Sequence, residues 1–376
     1  MYKTVDLFAG IGGIRRGFEI TGKFTNSISA ETDQYACKTY KHIFGSNPYN
    51  DVKSEEFKTK LENINYDVLL AGFPCQSFSR AGKKKGFLDL TRGTLFFEIA
   101  DILKRTRPKA FLLENVENLF SHDKGNTFKI ILEVLINELN YHIVGVSRNN
   151  NGELIYERKN LIRNSKNFGI PQNRSRIYII GFNFCNYGDS LKLLQNLHMP
   201  SMRVKEKIYK DLNSLLEYKA EEKYYLAEGF WETLKKHKSR HKAKGNGFGN
   251  FIVNDKKIKE PISNAILATG GSGKERNLVY DYQPDVIGKE LKNKKTPINE
   301  EHIRMMTPRE WGKLQGFIGY GFINENGRDL FSFPPGVSNT QLYKQFGNSV
   351  TIPVIEELAY FIYEILEQLK PKSKSK

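Results

Sequence analysis

Asp6-Leu7-Phe8-Ala9-Gly10-Ile11-Gly12-Gly13 closes a short apolar run and opens a helical stretch, so the chain begins as strand, glycine-rich turn and helix. Glycines in such a turn let the backbone bend tightly and approach a ligand, and the free N–H groups of the following helix can receive a carboxylate or phosphate. Glu31 follows about 20 residues later, at the end of the second strand-like run NSISAE at 26–31, where a carboxylate can accept both ribose hydroxyls of a nucleoside. Alone, these residues point to an adenosine-containing cofactor, and a turn needing glycine only for steric reasons would read the same way. DVLLAGF at 67–73, AFLLEN at 110–115 and RIYIIGF at 176–182 continue the alternation of apolar strands with helical stretches. That alternation predicts a doubly wound α/β domain, a parallel sheet with helices on both faces. NNNG at 149–152, between VGVS and ELIY, predicts an antiparallel hairpin within it.

The 376 residues, 39% hydrophobic and 27% charged, suffice for two or three units with a sizeable core. No run approaches the roughly 18 apolar residues of a membrane span, and MYKTVDLFAG has no leader pattern, so a cytoplasmic protein with no membrane partner is expected. Cys37, Cys75 and Cys185 cannot form a paired framework and lie at no metal-ligand spacing, so a reducing compartment and no metal are expected. Lys plus Arg number 58 against 42 Asp plus Glu, and the resulting +16 favours a polyanionic partner, nucleic acid first. From about 184 to 300 the strand and helix alternation disappears, and residues 235–259 carry nine Lys or Arg against one acid, Asp255. A second, less regular and basic unit is predicted there. A helical pattern returns from about 304 and ends in VTIPVIEELAYFIYEILEQL at 350–369, predicted as a core helix.

Two further stretches carry chemistry. Gly72-Phe73-Pro74-Cys75-Gln76-Ser77-Phe78-Ser79 follows the third predicted strand, and ligands of open α/β sheets gather at that carboxyl edge. Cys75 is a candidate nucleophile if its thiolate is stabilised, although a lone cysteine is more commonly inert. Glu114-Asn115-Val116 ends another strand and brings a carboxylic acid to the same edge.

DLFAGIGG, GFPCQSFS, RGTLFFEIADIL at 92–103, ENV, QNRSRIYIIGF at 172–182, RMMTPREWGKLQGF at 304–317 and QFGNSV at 345–350 stand in this order. With these blocks the chain resembles the DNA (cytosine-5) methyltransferases of the bacterial restriction-modification type. The resemblance implies a Rossmann-like methyltransferase domain, residues 1–183 plus 304–376, and a smaller irregular, β-rich target-recognition domain at 184–303. It implies methyl transfer from S-adenosyl-L-methionine to carbon 5 of a flipped-out cytosine in duplex DNA. Cys75 matches the nucleophile that adds to carbon 6, Glu114 the group acting at N3, Arg176 the cation holding O2, and Arg174 its support.

By the same resemblance Phe8, Gly10, Ile11, Gly12 and Gly13 line the cofactor loop, Glu31 takes the ribose and Asp51 reaches the adenine amino group. Gly72, Pro74, Leu95, Asn348 and Ser349 complete that pocket. Gln76, Ser79, Arg80, Lys83 and Lys84, in the closing loop, are expected at DNA, as are Lys242, Lys244, Lys274 and Arg276 in two glycine-rich segments. A monomer on DNA is expected, in functional pairing with a restriction endonuclease. Three departures stand out: Thr32 where an aromatic residue often stacks on adenine, Ala265-Ile266 in place of a Thr-Leu pair, and the longer excursion at 148–165. An RNA methyltransferase on the same scaffold and a catalytically idle DNA-binding relative are the competing readings.

Overall fold

The computed structural model describes residues 1–74, 94–194, 197–246, 249–269 and 273–370, without the side chains of 189 and 193. The chain divides into two compact units, one of Met1–Asn167, Ser175–Val204 and Ile352–Lys376, the other of Phe168–Arg174 and Lys205–Thr351. Residues 304–351, expected with the first domain, therefore group with the second unit, and only the last helix returns to the first.

The first unit is built on a sheet. Its strands are β1 (Tyr2–Leu7), β2 (Phe24–Ala30), β3 (Val68–Gly72), β4 (Ala110–Val116), β5 (Tyr141–Ile143), β8 (Ile162–Asn164) and β10 (Ser175–Asn183); β6 (Val146–Arg148) and β7 (Leu154–Tyr156) form a separate hairpin, and β9 (Gln172–Asn173) belongs to the second unit. The order is β2-β1-β3-β4-β10-β5, with β8 also on β10. The first four strands are parallel. Val68–Ala71 and Ala110–Leu113 are fully buried, as expected of central parallel strands covered on both faces. The β6–β7 pair forms the hairpin predicted around NNNG, with Asn149 N–H on the Glu153 carbonyl at 3.0 Å.

One expectation is corrected. β10, read as a further parallel strand, runs antiparallel to β4 and β5 and is inserted between them. Because β10 opposes both, β4 and β5 are parallel to each other, with the helix Asn126–Glu133 in the crossover between them. The hairpin and β8 then turn the chain so that it enters the gap from the other end. A fully buried strand is apolar on both faces in either direction, so its sequence carries no mark of orientation.

The helix Gly13–Glu19 packs on the C-terminal helix Ile352–Gln368, and a β-carbon at Gly17 would lie 2.5 Å from Ile355. The second unit is irregular, with a two-residue pair of β9 and β11 (Ser263–Asn264) and an antiparallel pair of β12 (Leu278–Tyr280) and β13 (Ile303–Met305). Its longest helix, Glu228–Ala243, was not anticipated, because basic residues cover most of its faces and it buries only Trp231. Trp231 joins Leu226, Leu278 and Ile303 in a small core. Among the described residues no helix is long and apolar enough to cross a membrane.

Candidate active site

The turn after β1 is set by backbone conformations that few residues adopt. Phe8 has φ 55°, Gly10 54° and Gly12 82°. A side chain at Gly12 would lie 2.2 Å from the Phe44 ring, so glycine is required for packing as well as conformation. At Gly10 a β-carbon would meet nothing within 4 Å among the described residues, which leaves the backbone open to a ligand. Phe8 is the non-glycine residue of the turn held in the left-handed region, a conformation that costs energy and that the surrounding structure must enforce.

Glu31 is locked onto this turn. One carboxylate oxygen accepts from Gly10 N–H at 2.8 Å, the other from Thr32 N–H at 2.7 Å and Asp33 N–H at 2.8 Å. Asp51 is exposed, and its carboxylate accepts from Lys53 N–H at 2.9 Å. Asp6 opens the glycine-rich block, but the sequence did not single it out as a site residue. It is fully buried, and neither carboxylate oxygen has a hydrogen-bond partner among the described residues. A charged residue at the end of an apolar strand was the signal available. An open glycine cradle, a fixed carboxylate and a buried carboxyl group lacking a partner, which a nearby cation would ionise, fit a nucleoside that carries a cationic tail, as S-adenosyl-L-methionine does.

Burial pushes the Asp6 carboxyl up to about 8, opposed more weakly by the nearby Arg15 backbone N–H, which lies outside hydrogen-bonding geometry, and by the Arg15 charge. Between its ordinary value of 3.8 and about 8 the folded chain holds a proton that the unfolded chain has released, so this group reduces stability as pH rises through that window. Asp6→Asn removes the titration. Thermal unfolding of the ligand-free variant should fall less steeply from roughly pH 5 to 8 than that of the wild type, whereas an unchanged slope would show that Asp6 does not carry the dependence.

The carboxyl edge of the sheet holds the second cluster. Gly72 on β3 is the register partner of Glu114 on β4, and a β-carbon at Gly72 would sit 3.3 Å from the Glu114 carboxylate. Glu114 is buried and pairs with Arg176 of β10, Nε to Oε1 at 3.2 Å. Arg176 also donates to the Ser175 carbonyl at 2.8 Å. The next residue, Asn115, is buried and donates from Nδ2 to the Phe73 carbonyl at 2.9 Å while its Oδ1 accepts from Val116 N–H. Asn115 thereby ties the end of β4 to the backbone before Pro74, a positioning role that the ENV block alone did not disclose. Pro74 is exposed and Leu95, first in the helix Leu95–Thr106, is half-buried. Cys75, Gln76, Ser79, Arg80, Lys83 and Lys84 lie outside the described residues.

In the second unit Arg174 is buried, donating to the carbonyls of Ile266 at 2.8 Å, Gly347 at 2.9 Å and Ser349 at 2.7 Å. Its guanidinium is committed to holding backbone. Two unpredicted amides complete the scaffold. Gln172 donates to the Leu314 carbonyl and accepts from Ile266 N–H, and Gln315 donates to Phe346 and Ser349 carbonyls while accepting from the Thr351 hydroxyl. The segment so held contains exposed Asn348 and half-buried Ser349.

A β-carbon at Gly347 would lie 2.3 Å from the Leu267 carbonyl oxygen, a backbone atom that cannot swing aside. Gly347→Ala should therefore lower the unfolding midpoint, and an unchanged midpoint would refute the close approach. Lys242, Lys244 and Arg276 are exposed. Lys274 instead lies 3.9 Å over the Tyr343 ring, half-buried, and burial pushes its ammonium below the usual range.

These features define a class: an α/β protein with an open glycine-rich turn after its first strand and an acid–guanidinium pair at neighbouring strand ends. Residues 2–364 match the family model described as C-5 cytosine-specific DNA methylase. The type II methyltransferase M.HpaII of Haemophilus parainfluenzae is 44% identical over 366 residues, covering 97% of this chain and 90% of that relative. M1.ScrFI, another type II methyltransferase, from Lactococcus lactis subsp. cremoris, is 40% identical, with 98% and 80% covered. Among solved structures, the Entamoeba histolytica methyltransferase EhMeth matches 97% of this chain and 99% of its own with a TM-score of 0.61 at 19% identity, a likeness of fold. The chain belongs to the C-5 cytosine-specific DNA methylase family and is a DNA (cytosine-5)-methyltransferase with an S-adenosyl-methionine-dependent methyltransferase fold.

Proposed function

We propose that the protein methylates carbon 5 of one cytosine within a short site in duplex DNA through a covalent adduct with Cys75. The observation that carries this reading is the Glu114–Arg176 pair at 3.2 Å, with Gly72 of the strand leading to Cys75 as the register neighbour of Glu114. Carbon 5 of cytosine is a weak nucleophile. Addition of the Cys75 thiolate to carbon 6 turns the ring into an enamine, with Glu114 supplying a proton or hydrogen bond at N3 and Arg176 holding O2. Once carbon 5 of that enamine carries the methyl group, loss of its proton restores the 5,6 double bond and expels the thiolate. A paired base hides both carbons, so the cytosine is flipped out at a cost of a few kcal/mol.

S-adenosyl-L-methionine, when bound, supplies an electrophilic methyl group. Phe8, Gly10, Ile11, Gly12 and Gly13 would cradle it, Glu31 would take the ribose hydroxyls and Asp51 the adenine amino group, with Gly72, Pro74, Leu95, Asn348 and Ser349 around them. Arg174 would act as a support, a role consistent with its hold on the Gly347 and Ser349 carbonyls. Residues 184–303 serve target recognition, and Lys242, Lys244 and Arg276 are available for phosphates; the closing loop would add Gln76, Ser79, Arg80, Lys83 and Lys84. Lys274 reaches DNA only by leaving Tyr343. The names of the type II relatives support a role in protecting host DNA from a cognate endonuclease.

Incubation of a mixed-sequence plasmid with protein and S-adenosyl-L-methionine, followed by bisulfite sequencing, tests the reading. Protection confined to one short motif is expected. No protection, with transfer RNA methylated instead, would move the substrate to RNA. Cys75→Ala should abolish transfer and the covalent trap with a 5-fluorocytosine duplex while leaving duplex binding measurable, and retained turnover would remove Cys75 from the mechanism. Duplex affinity should fall steeply with salt, and a flat response would contradict phosphate contacts by the basic residues.

A further inference from the structure

His237 and His241 stand one turn apart on the helix Glu228–Ala243, with ring centroids 4.4 Å apart and their Nε2 atoms separated by 3.1 Å. The other nitrogen of His241, Nδ1, is 2.7 Å from the Asn246 side-chain oxygen. An amide oxygen only accepts, so Nδ1 carries the proton and Nε2 of His241 presents a lone pair to His237. Without an ion the gap is closed by a proton on His237 Nε2.

A metal can take the place of that proton. Two metal–nitrogen bonds of about 2.1 Å in adjacent coordination positions place their nitrogens roughly 3.0 Å apart at a right angle and roughly 3.4 Å apart at the tetrahedral angle, a range that includes the 3.1 Å observed. Histidines at i and i+4 share a helix face, and a hydrogen bond from the second ring nitrogen to an oxygen acceptor is the usual means of orienting a metal-ligating imidazole. We propose that His237 and His241 form a two-imidazole site for a divalent transition ion such as Ni²⁺ or Zn²⁺, with Asn246 orienting His241.

Occupancy requires only that neutral His237 move its proton from Nε2 to Nδ1; no redox step or co-reactant is involved. Among the described residues no third His, Cys, Asp or Glu joins a metal-binding group, so water fills the remaining positions. Neighbouring charges are partly engaged elsewhere. Lys235 is paired with Glu232 and Glu301, and Lys238 lies over the Phe251 ring. Imidazole ligands favour ions late in the first transition row over Mg²⁺ or Ca²⁺.

The test is calorimetric titration of the full chain, free of any affinity tag, with nickel chloride near pH 7.5 in a non-chelating buffer. One equivalent should bind. His237→Gln and His241→Ala should each weaken binding at least tenfold with unchanged circular dichroism, and Asn246→Ala should weaken it about 10- to 100-fold. Undiminished stoichiometric binding in both histidine variants, or no binding by the wild type at millimolar nickel, overturns the proposal.

Discussion

Glu114→Gln should lower kcat for methyl transfer by about 10²- to 10⁴-fold, the usual contribution of a positioned proton donor, with little change in the apparent affinity for S-adenosyl-L-methionine. Glutamine keeps the length and planar shape that fit beside Gly72, and its carbonyl oxygen can still accept from Arg176, so fold and pair geometry should survive. What is lost is a group that can give a proton to N3 as charge builds on the ring. Duplex binding should persist, and the 5-fluorocytosine adduct should form far more slowly, because thiolate addition is the step that loads that charge. Single-turnover transfer with labelled cofactor measures the effect, and a kcat within about threefold of wild type would exclude Glu114 from proton transfer.

Glu310→Ala should destabilise the second unit by about 3–5 kcal/mol, because it leaves a buried guanidinium without its main counter-ion. Arg304 and Glu310 are both fully buried and joined by two hydrogen bonds of 2.9 and 2.7 Å, with Asp281 a further partner of Arg304 at 2.6 Å. Burial works against the Arg304 charge, and the Glu310 and Asp281 carboxylates more than offset it. Glu310 also accepts from Thr307 N–H at 2.8 Å, closing the capping box of the helix Pro308–Leu314, and from Glu217 N–H at 2.9 Å. Since domains are stable by only about 5–15 kcal/mol, a loss of this size should be visible as a large drop in the denaturant midpoint. The double change Arg304→Met with Glu310→Leu should recover only part of it, because it removes the buried guanidinium but leaves Asp281 without its guanidinium partner and the Thr307 and Glu217 N–H groups without their Glu310 acceptor. A loss below about 1 kcal/mol in Glu310→Ala would contradict the pairing.

The glycine-rich turn, Glu31 and the Glu114 strand end are legible in the sequence, because each depends on neighbours within a few residues: a strand period, a glycine where φ is positive, an acid at a strand terminus. Arg174 and Arg176 are not distinguishable in that way. Two residues apart, they would share a face of one strand, yet β9 ends at Asn173 and β10 starts at Ser175, and the break sends Arg174 to three backbone carbonyls while Arg176 meets Glu114. Lys274, expected at DNA from the sequence, lies over Tyr343. The helix Glu228–Ala243 is hidden for the opposite reason, since it buries one side chain and its exposed faces have no apolar period to read.

Residue order alone thus carried the α/β class, the cofactor turn and the identities of the chemical groups, because conformational preference and side-chain chemistry are local properties. Only the folded chain decided the direction of β10, the carbonyl clamp of Arg174, the exposure of Asn348 and the absence of a partner for Asp6 among the described residues. Each of these depends on which distant segments come within hydrogen-bonding distance, as where Gly347 admits the Leu267 backbone. No local pattern records such an approach.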